Sequence, residues 1–463
     1  MVINTGYLEL FGIPCVYMED DNGLLVVPKD KHDMPKLSHY ALKTDYTVQF
    51  ESLSDKNCTA LIERMEFEGE NSYRLIPRYI IKAINENPFC SFEMQGDAID
   101  DFFSPSRYFY NKARAGEKKF ENLVYGSEVA DKWDVIFEEK LVSITLSYGD
   151  ILRHGVASDL MLHPQLNVDF PETTDLTFIY RLYMAIIRFL QFTRYVTNCG
   201  RIKIKLYGAT IGDKFNAGRI VDCYTKQSVH HVYLGVIDYS AYKPYVQKIL
   251  QFVLNNPKLY MHHLPEKESR FFSWNYSPTL FASLFSAFES ECRSASEVYE
   301  KVDDTGVSNL RAQIVAKIKQ IQIDPENKEQ QQFVENACSR ISQLGTQLGQ
   351  KKKITQAITI LMPSLNSSIE NIFICPEMRL KAPLSNTQID LISGKLTSLR
   401  GTVVHGDFSG EFSDVQGRLL KFFEILIYAQ MLKRAGLDDS GIEHIVGGVF
   451  HCNYVLFEKM IKM

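Results

Sequence analysis

Residues 385–406 read SNTQIDLISGKLTSLRGTVVHG and predict one helix of a packed bundle. Ser385 and Gln388 have the spacing of a capping box, in which each side chain bonds the backbone of the other, so a helix is expected to begin there. Beyond this start, apolar residues recur at intervals of three and four: Ile389, Ile392, Leu396, Leu399 and Val403. This period is that of one helix face and predicts a stripe that faces a core.

Arg400 lies beside this stripe, and His405 follows five residues later. Arginine carries a permanent charge and grips phosphate with a fork of N–H groups, and histidine exchanges protons near neutral pH. Together they are sufficient for cleaving a phosphodiester without a metal. On a straight helix they would lie about 140° apart and ~7.5 Å along the axis. Convergence therefore follows from a helix loosened at Gly401 or Gly406 or ended near His405, from the long Arg400 side chain sweeping toward its neighbour, or from a site shared by two chains.

The first 240 or so of the 463 residues are rich in strand patterns. Short apolar or alternating runs are separated by Asp-Asn-Gly, Pro and Gly turns, which favours an antiparallel sandwich or curved sheet. Residues 71–87, NSYRLIPRYIIKAINEN, fit either a strand or a short helix. Residues 175–198 predict a long helix packed on the sheet, with Arg181, Arg188 and Arg194 at its rim. Arginines are costly in hydrocarbon, so a membrane span is not expected.

The remainder of the chain has helical periodicity and short connections, as in a helical bundle. A polar break at residues 265–269 divides the chain into a β-rich domain, 1–265, and a helical domain, 266–463. The predicted fold class is therefore α+β, with a sandwich-like antiparallel N-terminal domain and an all-α C-terminal bundle.

Composition excludes several classes of protein. A net charge of -5 does not suit a generally basic nucleic-acid coat, although it permits a local basic groove. The nine cysteines are scattered without Cys-x-x-Cys pairs, which indicates neither a disulfide scaffold nor a zinc ribbon and favours the cytoplasm. No signal peptide is apparent, and the absence of a dinucleotide fingerprint or P-loop gives no support for nucleotide hydrolysis or a cofactor. The histidine pairs 230–231 and 262–263 have no nearby Cys or helical His partner, so no metal is expected.

Leu399-Arg400-Gly401-Thr402-Val403-Val404-His405-Gly406 resembles the signature of a HEPN domain, in which Arg, four to six residues and His lie in a helical C-terminal domain. With the β-rich half, nearly the whole chain is similar to the ApeA-type HEPN proteins of bacterial anti-phage defence. The family often has a polar residue directly after the Arg, where this chain has Gly401.

The resemblance implies metal-independent RNA cleavage by the RNA's own 2′-OH, with Arg400 stabilising the phosphate and His405 as general base or acid. It also implies a homodimer whose two motifs form one cleft, a β-rich domain that senses a phage-encoded trigger or restrains the nuclease, and tRNA as one substrate class.

Further residues are candidates for RNA contacts. Lys351, Lys352 and Lys353 form the sharpest basic cluster, which can track an RNA backbone or be a charged loop between helices. Asp407 follows the motif directly and is a further candidate. Loop carboxylates of this kind are often only solvated, which is the alternative for Asp407. The remaining expectation is that certain acidic residues lie at the surface of the first bundle helix: Glu289, Glu291 and Glu297.

Three readings of function stay open from the sequence. A HEPN ribonuclease is the first. A non-catalytic RNA-binding or dimerisation protein is the second, and Gly401 is the feature that favours it. The purely structural alternative for the motif is an ion pair of Arg400 with a carboxylate at the helix end and a His405 that caps a carbonyl. A carbohydrate- or peptide-binding β-rich domain with a helical assembly domain is the third.

Overall fold

The computed structural model describes most of the chain. The described residues are 4–20, 23–40, 43–44, 46–52, 57–69, 71–83, 88–104, 128–151, 161–209, 214–222, 239–265, 276–295, 305–321, 327–343, 349–375, 377–404, 406, 408 and 410–450. The chain divides into two compact units, one of Met1–Pro257 with Glu266–Glu268 and one of Lys258–Pro265 with Ser269–Met463. Strands dominate the first unit and helices the second, so the chain is mixed α/β with its β-rich part N-terminal.

Twelve antiparallel strands form one hydrogen-bonded sheet in the described part of the first unit. They are β1 (Asn4–Leu10), β2 (Ile13–Asp20), β3 (Gly23–Pro28), β4 (Tyr46–Ser52), β5 (Asn57–Phe67), β6 (Tyr73–Ala83), β7 (Phe89–Gly96), β8 (Glu128–Phe137), β9 (Lys140–Ile151), β10 (Met161–Thr173), β11 (Ile202–Ala209) and β12 (Lys214–Asp222). Their order across the sheet is β3-β2-β1-β4-β5-β6-β12-β11-β7-β10-β9-β8.

The first six strands close into a barrel because β3 also pairs with β6, with Leu24 opposite Leu75 and Val26 opposite Tyr73. This closure differs from the sandwich-like packing expected from the sequence. Alternation along a strand tells which side chains face a core, but a sandwich and a barrel require the same alternation.

Alternating side chains of the first six strands fill the barrel. On β2, Cys15 and Tyr17 are buried, whereas Val16 between them is exposed, as the period of two requires. The segment left undecided from the sequence is strand β6. Its Pro77 lies where the pairing with β5 shifts register, a position at which the missing N–H is tolerated.

Five helices accompany the sheet within the described part of this unit. They are α1 (Met34–Ser38), α2 (Asp97–Phe102), α3 (Leu176–Arg194), α4 (Tyr239–Tyr242) and α5 (Val246–Asn255). Helix α3 is the long helix predicted from the sequence. The Asp175 carboxylate caps its start by accepting the N–H groups of Thr177 and Phe178. Its Tyr180 ring stacks on Tyr79 of β6 with the ring centroids 3.6 Å apart, so α3 packs on the sheet.

The three arginines of α3 do not all lie at its rim, and the expectation is wrong for Arg194. The Arg194 side chain is 0% exposed and forms an ion pair with Asp101 of α2 at 3.0 Å. Arg181, by contrast, is 47% exposed and pairs with Glu138. The helical period of the sequence does not reveal that Arg194 is buried and Arg181 exposed, because the position of α2 at the end of α3 depends on the tertiary fold. None of the described helices combines the length and the apolar character needed to span a bilayer.

The second unit is a bundle of helices in its described part. They are α6 (Pro278–Ser294), α7 (Thr305–Lys319), α8 (Lys328–Gln343), α9 (Gln350–Ile372), α10 (Asn386–Val404), α11 (Asp414–Arg434) and α12 (Asp439–Val449), with a two-strand hairpin of β13 (Ile374–Cys375) and β14 (Met378–Arg379). Helix α11 is buried around its circumference from Leu419 to Leu432 and forms the centre of the bundle. Helices α6, α9, α10 and α12 pack around it, whereas α7 and α8 pack mainly on each other.

Candidate active site

Helix α10 carries Arg400 and begins as predicted. The backbone N–H of Ser385 donates to Gln388 Oε1 at 2.8 Å, and the Gln388 N–H donates to Ser385 Oγ at 3.3 Å. The predicted stripe is buried from Ile389 through Leu399, with exposed fractions of 6% or less, and Val403 is half-buried. Arg400 therefore lies at the boundary of core and solvent, where the stripe places it.

The Arg400 guanidinium is anchored by helix α6. Its Nη2 donates to Glu289 Oε1 at 2.9 Å, with the Arg400 side chain 35% and the Glu289 side chain 29% exposed. The guanidinium carbon lies 5.7 Å from the centre of the Phe285 ring, one helical turn before Glu289. Arg400 Nε is buried and has no hydrogen-bond partner among the described residues. One carboxylate oxygen and one aromatic ring thus hold the cation at the protein surface.

The first turn of α9 meets the same carboxylate. Gln350 Nε2 donates to Glu289 Oε1 at 2.7 Å, so Arg400 and the start of α9 share one acceptor oxygen. Lys351 Nζ lies 2.7 Å from Asp390 Oδ1 of α10. Burial raises the pKa of the Cys292 thiol on α6 to about 12, and the nearby Lys353 ammonium acts in the opposite direction. The first turn of α9, which carries the predicted lysine cluster, therefore meets α6 and α10, and its Gln350 shares the Glu289 carboxylate with Arg400.

The lysines lie in the first turn of helix α9. The expectation that Lys351, Lys352 and Lys353 form a charged loop between helices is therefore wrong. Cations in the first turn of a helix face the positive end of its macrodipole, an unfavourable arrangement for the isolated helix. Gly349 at the N-cap supplies no side-chain cap. Lys351 and Lys352 are both exposed, and Lys351 is paired with Asp390. Lys352 therefore presents its positive charge to solvent at this helix start, as a polyanion-binding surface requires.

The helix that carries Arg400 ends before position 405, so the straight-helix angle between Arg400 and His405 does not apply. Helix α10 ends at Val404, and Gly406 has a left-handed φ of 79°. His405 and Asp407 lie outside the described residues. Gly401 remains inside the helix, and a Cβ at this position would meet no atom within 4 Å. The chain therefore leaves α10 at the motif itself, which is one of the solutions that the five-residue spacing allows.

Of the acidic residues expected at the surface, Glu291 is instead buried. Glu291 is 2% exposed and lies 2.7 Å from Arg434 Nη1, and burial raises the pKa of its carboxyl. Glu289 is half-buried in its contact with Arg400, and Glu297 lies outside the described residues. Glu289 follows Phe285 by four residues, so both side chains lie on one helix face. That spacing was the available signal for Glu289, but nothing local indicated its partner 111 positions away.

A second group of side chains, Cys375, Glu377 and Asp414, has ligand atoms within 4.8 Å of one another and is the metal-capable group among the described residues. However, Asp414 Oδ2 already accepts from Arg418 Nε at 2.7 Å, and a metal ion would have to displace this cation. The group contains neither Arg400 nor the lysines.

Comparison with protein-family models, with curated proteins and with solved structures gives no match for this chain.

Proposed function

We propose that the chain is a metal-independent endoribonuclease of the HEPN type that acts in bacterial anti-phage abortive infection. The observation that carries the proposal is Arg400 held at the surface by Glu289, the same carboxylate that Gln350 contacts from the lysine-bearing first turn of α9. A guanidinium held in one position suits a phosphate on which charge develops. The exposed lysines of the first turn of α9 suit the rest of a longer polyanion.

In the proposed reaction, the 2′-OH of RNA attacks the adjacent phosphorus while His405 accepts or supplies a proton. Arg400 stabilises the charge on the pentacoordinate phosphate. The 5′ oxygen of the next nucleotide leaves, which gives a 2′,3′-cyclic phosphate and a 5′-OH end. DNA lacks the attacking hydroxyl and is not a substrate. RNA, with tRNA as one candidate class, is thus the proposed partner.

We further propose that the enzyme works as a cytoplasmic homodimer in which two copies of the motif form one cleft. The β-rich unit would restrain the nuclease or sense a phage-encoded trigger. These parts of the proposal rest on the resemblance to HEPN proteins, and a membrane has no role in them.

The test compares the wild type with Arg400→Ala, His405→Ala and the control Lys395→Ala on a labelled RNA. Lys395 is an exposed cation on the same helix, so its removal matches the charge change of Arg400→Ala. We expect 5′-OH products from the wild type and the control, and losses of about 100-fold or more, the lower end of the usual range for a single catalytic group, in the two motif variants. Cleavage should persist in EDTA. Motif variants that cleave at the wild-type rate, or a strict Mg²⁺ requirement, would contradict the assignment.

A non-catalytic RNA-binding or dimerisation protein is the second candidate. Gly401 in place of a polar residue and the ion pair of Arg400 with Glu289 favour it. It predicts RNA that copurifies with the protein and no new 5′-OH ends, and Arg400→Ala should then lower RNA affinity without changing any cleavage rate.

A further inference from the structure

Glu289 Oε1 is the point at which three helices of the bundle meet. It belongs to α6 and accepts from Arg400 Nη2 of α10 at 2.9 Å and from Gln350 Nε2 of α9 at 2.7 Å. Because two donors bond the same oxygen, they restrict the orientation of the carboxylate. The position of the Arg400 cation is thus set by residues of α6 and α9, and not by α10 alone.

The contact leaves most of the guanidinium available. Arginine has five N–H donors, and Glu289 receives a single hydrogen bond from Nη2. The alternative two-bond fork is seen elsewhere in the chain, where Arg181 donates from both Nε and Nη2 to Glu138. At Arg400 the Nε makes no such bond among the described residues. Glu289 therefore holds the side chain, and Nη1, which donates to none of the described residues, has both of its hydrogens for another oxyanion.

We propose that Glu289 is a positioning residue for Arg400, a role that rests on the proposed ribonuclease function. Its carboxylate holds the guanidinium at the phosphate site before RNA binds, and Gln350 holds the carboxylate. An arginine side chain is long and loses considerable rotamer freedom when it is fixed. Fixing it in advance removes that cost from the transition state, where small misplacements are expensive.

The opposite role, a restraint in which Glu289 competes with phosphate for Arg400, predicts the opposite result. A competing carboxylate is removed by Glu289→Ala, and this change should then raise activity. A positioning oxygen is lost in Glu289→Ala and retained in Glu289→Gln, because the amide oxygen accepts from both donors. The two substitutions therefore separate the roles.

The experiment uses the full-length protein and the variants Glu289→Ala, Glu289→Gln and Glu335→Ala. Glu335 is an exposed carboxylate on α8, so its variant matches the charge change without touching Arg400. We expect kcat to fall about 100-fold in Glu289→Ala with a smaller change in KM, while Glu289→Gln and Glu335→Ala keep most of the rate. The melting temperature is measured for each variant, because a purely structural defect would lower it and leave kcat of the folded fraction unchanged.

Binding provides a second readout that needs no turnover. RNA carrying 2′-O-methyl groups cannot attack its own phosphate, so its affinity reports on binding without cleavage. Glu289→Ala should weaken the binding of this RNA in the wild-type background and have no further effect on binding in the Arg400→Ala background. The reason is that free-energy changes are not additive when one residue acts through the other. Additive losses would overturn the positioning role.

Failure of this inference is distinguishable from failure of the proposed function. A wild-type protein that makes no 5′-OH ends refutes the function. Cleavage that depends on Arg400, together with a Glu289→Ala variant as active as the wild type or more active, refutes the positioning role alone. The role also fails if Glu289→Gln loses as much activity as Glu289→Ala.

Discussion

The buried ion pair between Arg194 and Asp101 makes a strong prediction for the stability of the β-rich unit. The Arg194 side chain is 0% and the Asp101 side chain 9% exposed, with 3.0 Å between Nη2 and Oδ2. Asp101→Ala would leave a guanidinium charge in the interior without this carboxylate. Breaking a buried pair in this way costs about 3–5 kcal/mol.

The same helix supplies a matched control. Arg181 and Glu138 lie 2.7 Å apart, but their side chains are 47% and 39% exposed. Because water screens this pair, Glu138→Ala should cost about 1 kcal/mol or less. The two alanine variants remove the same kind of charge opposite two arginines of α3, so the difference in cost isolates burial.

Denaturation in urea, followed by tryptophan fluorescence, measures the two costs. Trp133 is 6% exposed and packs against Phe103, two residues after Asp101, so it reports on unfolding around the pair. In a unit of this size, each kcal/mol should lower the melting temperature by about 2–4 °C. We therefore expect Asp101→Ala to melt about 10 °C lower, from the ion-pair cost and this conversion.

A double variant completes the test. Replacing both charges with apolar residues, Asp101→Leu with Arg194→Met, should recover much of the stability lost in Asp101→Ala, since buried pairs are often replaceable by well-packed apolar side chains. If Asp101→Ala costs no more than Glu138→Ala, the reasoning from burial is wrong.

Three further predictions concern the helical unit. Gly401→Ala should stabilise α10 by about 0.8–1 kcal/mol, because alanine is the better helix former and a Cβ there meets open space; a lower melting temperature would contradict this. Ser413→Ala removes the capping box at the start of α11 and should cost about 1 kcal/mol in urea denaturation, whereas an unchanged midpoint would show that the cap is dispensable. Burial raises the folded-state pKa of the Glu291 carboxyl despite the neighbouring Arg434. The folded protein therefore binds this proton more tightly than the unfolded chain, which stabilises the fold fully at pH values below the unfolded-state pKa. This stabilisation is lost as the pH rises through the folded-state pKa. Unfolding free energies measured across this range should fall more steeply with pH in the wild type than in Glu291→Gln, and equal slopes would refute the assignment.

Local features of the candidate site could be predicted from the sequence. The capping box of Ser385 and Gln388, the buried stripe up to Leu399 and the boundary position of Arg400 all follow from contacts within one or two helical turns. Such contacts are fixed by chemistry and spacing along a single element. The two-unit composition, with strands first and helices after, follows in the same way from period-two and period-three-to-four patterns.

The partners of those residues were decided by tertiary structure. Glu289 reaches Arg400 across 111 positions, Asp101 neutralises Arg194 in the interior, and β3 closes the barrel by pairing with β6. In each case the sequence offers many residues of suitable type, and only the packing of distant elements selects one. A residue pattern specifies which face of a helix or strand is buried, because that depends on neighbours in the chain. It does not specify what covers that face, because that depends on where the rest of the chain folds.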